Sequence, residues 1–333
     1  MSPAGAVRGL ADGRSSGVGG EFVRGATSFH DWVEADGSGT FPAAPGRYHL
    51  YVSYACPWAS RAVMVRRLKG LEDVVSMSVV DPIRDRRGWR FPAQRLAGPD
   101  DAGGLPGPGP DPVNGFDFLA EAYRRADPDF AGHVSVPVLW DKETGTIVNN
   151  ESAEVIRILN SELDEWAEHP ELDLYPEELR ARIDEVNERV YETVNNGVYK
   201  AGFARSQEAY EASFDPLFES LDWLEGLLAH SRYLTGERIT EADLRLFTTL
   251  VRFDSVYHNH FRCNLRKIEQ YPNLWAYTRD LYSQPGFAET VVLDEIKRHY
   301  YMTHPSLNPL RVVPKGPELD FAEPHGREGV GRG

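Results

Sequence analysis

Cys56 is one of only two cysteines in 333 residues, and it lies in the stretch Tyr-Val-Ser-Tyr-Ala-Cys-Pro-Trp-Ala-Ser-Arg, residues 51–61. It stands where a strand-like run gives way to helical spacing, and Pro57 follows it. Proline is favoured at the first helical position, where its missing N–H costs nothing. Cys56 is therefore expected at the N-cap or beside it, with unpaired backbone N–H groups directed at its sulfur. Those groups and the helix dipole favour the thiolate, and cysteines so placed titrate at roughly 3.5–7.5. Where a C-x-x-C dithiol would carry its second cysteine, this chain has Ala59. Cys56 then cannot close a local disulfide. Its productive chemistry is a mixed disulfide with a small external thiol, resolved by a second thiol. Cys263, in HFRCNLRK, lacks this setting and is expected to be a buried structural thiol.

Two further segments could hold that thiol. In HVSVPVLWD, Pro137 interrupts a strand-like run; it cannot donate to a ladder, belongs at an edge or turn, and can take a cis bond. The break leaves the backbone of Val136 able to pair with an extended peptide. Asn150-Glu151-Ser152-Ala153-Glu154 then opens a helix, and a helix N-terminus with a serine hydroxyl is a ready anion site. Plain N-capping by Ser152 accounts for the same residues. Together with Cys56 they describe a cleft that grips a peptide-like thiol by its backbone and its carboxylate.

The elements that must position these residues follow from hydrophobic spacing. RYHLYVSYA alternates as a strand does, and CPWASRAVMVRRLKGL has the period of a helix that stops at Gly70. VVSMSVVDP is a second strand, FDFLAEAYRRADP a short helix, HVSVPVLWD and GTIVNN a hairpin, and ESAEVIRILNSEL an amphipathic helix. Residues 98–112 are too rich in Gly and Pro for regular structure, leaving a linker or a mobile cover. From about residue 174 onward the segments ELRARIDEVNERVYETVNNGVY, EAYEASFDPLFESLDWLEGLLAH, TEADLRLFTTLVRFDSVY and NLWAYTRDLYSQPG all carry helical spacing. EHPELDLYPEE is the expected linker. The expected organisation is an extended N-terminal arm (1–45), an α/β domain (46–165), an all-helical domain (174–310) and a C-terminal tail (311–333).

Composition narrows the function classes. A formal net charge of −15 argues against a nucleic-acid partner, because nothing basic accumulates to neutralise phosphates. No run of about 18 apolar residues exists to span a membrane, and the N-terminal residues carry no apolar secretory core. Two cysteines make no disulfide scaffold, so a reducing cytoplasm is the expected location. His258, His260, His299 and His304 are not joined by a ligand-spaced set of acidic or cysteine residues, so no metal is expected.

This combination resembles the glutathione transferase superfamily, a thioredoxin-like domain followed by a helical one. Val-Pro before the hairpin and Glu-Ser at the next helix carry the likeness, as does Thr240-x-x-Asp243, which is independently a capping box. CPWA at Cys56, RGW ending at Trp89, VNNGVYKAGFA, TTLVRFDSVY, HYYMTHPSLNP and EPHGR narrow it to the xi class, the glutathionyl-hydroquinone reductases, from about residue 20 to 327. The resemblance implies Cys56 as nucleophile, with Trp89, Val136, Glu151 and Ser152 holding glutathione and His133, Val134 and Ser135 lining the same segment. It implies Tyr199 as the acid/base serving the substrate, and Tyr257 and Tyr300 near the sulfur, helping to keep it ionised. Tyr191 and Tyr301 are left as structural. The implied reaction removes glutathione from aromatic glutathione conjugates, and the implied assembly is a homodimer. A thioltransferase or dehydroascorbate reductase is the neighbouring alternative, and a non-catalytic binding module a third. The family usually has arginine where this chain has His133, a weaker and titratable anchor. Glutathione is the first expectation for the thiol and another low-molecular-weight thiol the alternative.

Overall fold

The computed structural model describes residues 15–17, 19–99 and 104–331. Its central sheet has the order β6-β5-β7-β8, built from β5 (Tyr48–Val52), β6 (Ser76–Val79), β7 (Val138–Asp141) and β8 (Thr146–Asn149). β5 runs parallel to β6 and antiparallel to β7, and β7 and β8 form the antiparallel hairpin expected from the sequence. A parallel pair needs a crossover, and α1 (Pro57–Leu68) supplies it. α2 (Leu119–Ala126) precedes β7, and α3 (Ser152–Ser161) follows β8 and packs on α1. The alternation in RYHLYVSYA does not appear as alternating exposure: all five residues of β5 are buried. This strand is central, with both faces covered. Even His49 is enclosed, held by the Ser76 and Ser78 hydroxyls at 2.8 and 2.9 Å. Burial pushes its pKa down to about 3 and keeps the ring neutral.

Four two-residue strands precede the sheet: β1 (Ser15–Ser16), β2 (Phe22–Val23), β3 (Val33–Glu34) and β4 (Phe41–Pro42). The arm they belong to lies across the molecule. The Asp31 amide donates to the Val148 carbonyl at 3.0 Å, and the Arg205 amide donates to the Gly20 carbonyl at 2.9 Å. One end of the arm is thus tied to the sheet and the other to the helical part.

The helical part comprises α4 (Arg180–Val190), α5 (Gly197–Phe203), α6 (Gln207–Leu228), α7 (Glu241–Arg252), the single turn α8 (His258–His260), α9 (Pro272–Tyr282) and α10 (Leu293–Thr303). Every residue of α7 is buried, so this helix is the axis about which the others pack. Its start is the capping box read from the sequence: the Thr240 amide donates to Asp243 Oδ2 at 2.8 Å. The other Asp243 oxygen accepts from the Leu234 amide and the Tyr277 hydroxyl at 2.9 and 2.8 Å. With the Thr240 hydroxyl as a fourth donor at 3.2 Å, one buried carboxyl orders enough that its removal would disturb more than a helix end.

α7 also joins the two parts at the point that matters for chemistry. Arg252, fully buried at its C-terminal end, donates to the carbonyls of Tyr54 (2.8 Å) and Ala55 (3.3 Å) and to Ser60 Oγ (2.8 Å). These groups flank Cys56 on both sides in the chain. The segment EHPELDLYPEE is equally engaged: buried Lys69 of α1's end donates to the Leu172 carbonyl at 2.7 Å and pairs with Asp164 at 2.7 Å. Of the Gly/Pro-rich stretch, residues 100–103 lie outside the described residues. The remainder packs along the edge of β6: Gly109 donates to the Val79 carbonyl at 3.2 Å, and Tyr54 donates to the Pro106 carbonyl at 2.9 Å. A Cβ on Gly107 would stand 2.2 Å from the Leu96 carbonyl oxygen, so the chain passes itself there at a distance only glycine allows. The described part of this stretch is a packed edge and takes no part in the wall of the cavity.

Candidate active site

Cys56 is the N-cap of α1, with φ −83° and ψ 120° and Pro57 at the first turn. That is the N-cap position its sequence context implied, but no helix N–H bonds to its sulfur. The half-buried thiol donates to the Val136 carbonyl oxygen at 3.6 Å, next to a cis Val136–Pro137 bond. The β7 approach is held from behind by α2: the Tyr123 hydroxyl donates to the Ser135 carbonyl at 2.9 Å and accepts from the Ser135 amide at 3.2 Å. Asn150 adds a third bond to the same hydroxyl at 3.0 Å, so one buried tyrosine registers Ser135 and the start of α3 against each other. Sequence spacing gave no sign of Tyr123, whose neighbours suggest only a short amphipathic helix.

At α3 the residue that caps is Glu151, and the plain N-capping offered above for Ser152 is corrected. The Ala153 amide donates to Glu151 Oε1 at 3.1 Å, which leaves Ser152 as the first helical residue. Its hydroxyl donates to Glu151 at 3.4 Å and accepts from Arg61 Nη1 at 3.3 Å. Thr27, from the arm, donates to the second Glu151 oxygen at 3.1 Å. Arg61 is fully enclosed, and burial pulls its pKa down to about 9, still cationic at neutral pH. Its Nη2 donates to Asn195 at 2.9 Å.

Facing these groups across a cleft with about 170 Å³ of interior room are the tyrosines. Tyr199 of α5 and Tyr300 of α10 line it, and their hydroxyls are 2.5 Å apart. Tyr257 is fully buried behind Tyr300, 2.9 Å from its hydroxyl, and is not part of the wall. It ends a π-turn, Phe253–Tyr257, that interrupts the helical run after α7. Burial raises the pKa of all three phenols; the charge of Cys56 adds to the rise at Tyr199, and the neighbouring phenols add to it at Tyr300. All three therefore keep their protons at neutral pH.

Trp89 is buried on the cavity wall and stacks flat on His299, with ring centres 5.1 Å apart. The His299 Nδ1–H donates to the Pro82 carbonyl at 2.6 Å, which fixes the ring's tautomer and pose. His133 and Ser135 line the cavity beside Val136, whereas Val134 is buried and does not. Of the residues singled out from the sequence, nine line one cavity: Cys56, Trp89, His133, Ser135, Val136, Glu151, Ser152, Tyr199 and Tyr300. Tyr191, left as structural, is also on the wall, edge-on to Trp58 at 5.9 Å. Tyr301 donates to the Ser255 carbonyl at 3.3 Å and supports the fold. Sequence reasoning passed over Phe22 and Arg24 in the arm, because FVRG has no periodicity, and over Trp58, which stood in plain view two residues after Cys56.

Cys263 is fully buried, and burial pushes its pKa up, so it has no comparable chemistry. Among the described residues no three His, Cys, Asp or Glu side chains converge as metal ligands do. Among the same residues no helix is long and apolar enough to cross a membrane.

Comparison with known proteins agrees with this fold. Residues 55–162 match the family described as glutathione S-transferase, N-terminal domain, and residues 207–280 the corresponding C-terminal domain. The glutathionyl-hydroquinone reductase YqjG of Escherichia coli is 49% identical over 317 residues, covering 93% of each protein. The crystal structure of the xi glutathione S-transferase from Phanerochaete chrysosporium superposes with a TM-score of 0.86 at 49% identity, over 93% of this chain and 96% of that one. The glutathione-bound structure of YqjG gives a TM-score of 0.84 at 50% identity, over 90% of this chain and 96% of that one.

Proposed function

The chain belongs to the xi-class glutathione transferases, the glutathionyl-hydroquinone reductases, and from that premise we propose that it removes glutathione from glutathionyl-hydroquinones by way of a Cys56 mixed disulfide. The observation that carries the reading is one cavity holding a lone helix-capping cysteine on one wall and two protonated, mutually bonded phenols on the other.

The steps follow from these groups. In the conjugate, sulfur is bonded to a ring carbon, and the ring tautomerises to a ketone. The Cys56 thiolate attacks the glutathione sulfur and forms the S–S bond, while the C–S electron pair moves onto the ring as an enolate. Tyr199, relayed by Tyr300, stabilises and protonates the developing enolate, which yields free hydroquinone. A second glutathione thiolate then attacks the glutathione sulfur of the mixed disulfide, expels the Cys56 thiolate and leaves as oxidised glutathione. One free glutathione and the sulfur carried by the conjugate leave as the disulfide while hydrogen replaces sulfur on the ring, so no other electron carrier is needed.

Val136, whose carbonyl lies beside the sulfur, together with Trp89, Glu151 and Ser152, is assigned to the thiol. Glu151 presents an acceptor suited to an ammonium, and the α3 N-terminus presents donors suited to a carboxylate, the pair that an α-amino acid end carries. Tyr257 acts through Tyr300, and Val134 through the backbone of the segment it anchors. The sheet domain is the thiol half and the helical domain with the arm is the aromatic half. We assign the protein to a reducing cytoplasm, as a homodimer, consistent with two unpaired cysteines. The test is release of hydroquinone from a glutathionyl-hydroquinone in the presence of glutathione, with other low-molecular-weight thiols run in parallel because of His133. Absence of turnover with every thiol overturns the reading.

A further inference from the structure

We propose that Arg24 makes this enzyme selective for conjugates whose aromatic ring bears a carboxylate, by holding that anion on the arm side of the cavity. This rests on the reductase reading and names the class of ring it favours.

Arg24 lines the cavity, on the wall made by the arm and α5. Its guanidinium lies over the rings of Trp58 at 4.6 Å, Tyr199 at 4.8 Å and Phe22 at 5.4 Å. Nε is committed, donating to Asn196 Oδ1 at 2.9 Å. Nη2 is buried and has no hydrogen-bond partner. No carboxylate among the described residues pairs with this cation. Aromatic faces satisfy the flat sides of a guanidinium but not its N–H edge, and leaving a charged donor buried and unmet is costly. An arrangement that holds the plane between rings and leaves an edge donor unmet is one prepared for an acceptor arriving from the cavity.

The charge of the cavity points to the same acceptor. The protein carries a formal charge of −15, yet the wall holds two arginines, Arg24 and Arg84, against one carboxylate, Glu151. Glu151 is already engaged by Thr27, Ser152 and the Ala153 amide. Arg84 lies over Trp89, 4.9 Å from the ring centre, on the side assigned to the thiol. Arg24 instead shares its wall with Tyr199, the group assigned to the ring, and its charge lowers the pKa of that phenol against the larger effect of burial. A planar carboxylate on the ring matches a guanidinium edge in shape as well as charge.

The experiment compares binding of gentisate, a carboxylated hydroquinone, with binding of plain hydroquinone by calorimetry on the full-length protein. It uses wild type, Arg24→Gln and Arg24→Lys, with far-ultraviolet circular dichroism as the folding check. A charge-assisted hydrogen bond corresponds to a preference of about tenfold or more for gentisate in wild type. Arg24→Gln should abolish that preference and Arg24→Lys should keep part of it. Equal binding of the two compounds by wild type, a preference that survives in Arg24→Gln, or a loss of equal factor for both overturns the proposal. Because the ratio is read without turnover, it stands or falls separately from the reductase assay.

Discussion

Glu295, in the first turn of α10, offers a sharp test of how the cavity's last helix is held. The side chain is buried, Oε2 has no hydrogen-bond partner, and burial raises its pKa from 4.5 to about 7, with Asp294 and Asp81 adding to the rise and Arg298 opposing it. The folded protein thus keeps a proton that the unfolded chain has released. Between pH 4.5 and about 7 unfolding liberates that proton, and stability falls by roughly 1.4 kcal/mol for each pH unit crossed. The loss is complete above pH 7 and amounts to about 3 kcal/mol. Below pH 4.5 both states are protonated and Glu295 has no pH-linked effect. Glu295→Gln keeps the shape and removes the titration. Its own buried amide adds an offset that does not change with pH, so the difference between variant and wild type is the quantity to follow. Urea midpoints measured from pH 5 to pH 8 should show the variant gaining on wild type by about 2.5 kcal/mol as pH rises. A difference that stays flat, or that shrinks with pH, refutes the account of Glu295 as a buried neutral acid.

Other outcomes follow from the site. Cys56→Ser should abolish hydroquinone release and also the mixed disulfide, which mass spectrometry of the intact protein detects as an added glutathione in wild type alone. Tyr199→Phe should lower kcat for a glutathionyl-hydroquinone by roughly 10²-fold or more while sparing small mixed disulfides; no loss on either would favour the thioltransferase alternative. Tyr257→Phe, one bond further from the cavity, should cost less than Tyr199→Phe on the same substrate, measured by the same steady-state assay. Arg252→Ala leaves the carbonyls of Tyr54 and Ala55 without their donor and should destabilise by about 2 kcal/mol or more, seen as a lowered melting temperature.

The thiol half of the site was legible because its chemistry is local in sequence. Cys56 and Pro57 announce a helix start, Val136-Pro137 announces a broken strand, and Glu151-Ser152 announces another helix start; each needs only neighbours in the chain to be understood. The capping box at Thr240 and Asp243 was legible for the same reason. What periodicity could not supply was any contact made across long separations between residues of ordinary type. Arg24 is bonded to Asn196, Tyr123 spans from α2 to Ser135 and Asn150, and Arg252 reaches the turn before Cys56. The tyrosines illustrate the boundary well. Fifteen are present, nothing in their spacing favours Tyr199, Tyr257 and Tyr300, and only the family motifs singled them out. Even then the motifs did not separate Tyr199 and Tyr300, which reach the cavity, from Tyr257, which does not. Ser152 and Glu151 show the converse error: Ser152 offered a ready cap, yet it is Glu151 that accepts from the Ala153 amide, while its other oxygen is met by Thr27 from far away in the chain.

The path of the arm has a consequence for how the protein comes into being. Thr27 and Arg24 reach the site from the beginning of the chain and Tyr300 from near its end, while Cys56 and Tyr199 lie between. A ribosome exposes Cys56 long before it has made α10, so a nascent chain holds this cysteine without the Tyr300 phenol that shares its cavity. The reactive ensemble exists only in the finished molecule. A chain interrupted before α10 would hold the cysteine without Tyr300.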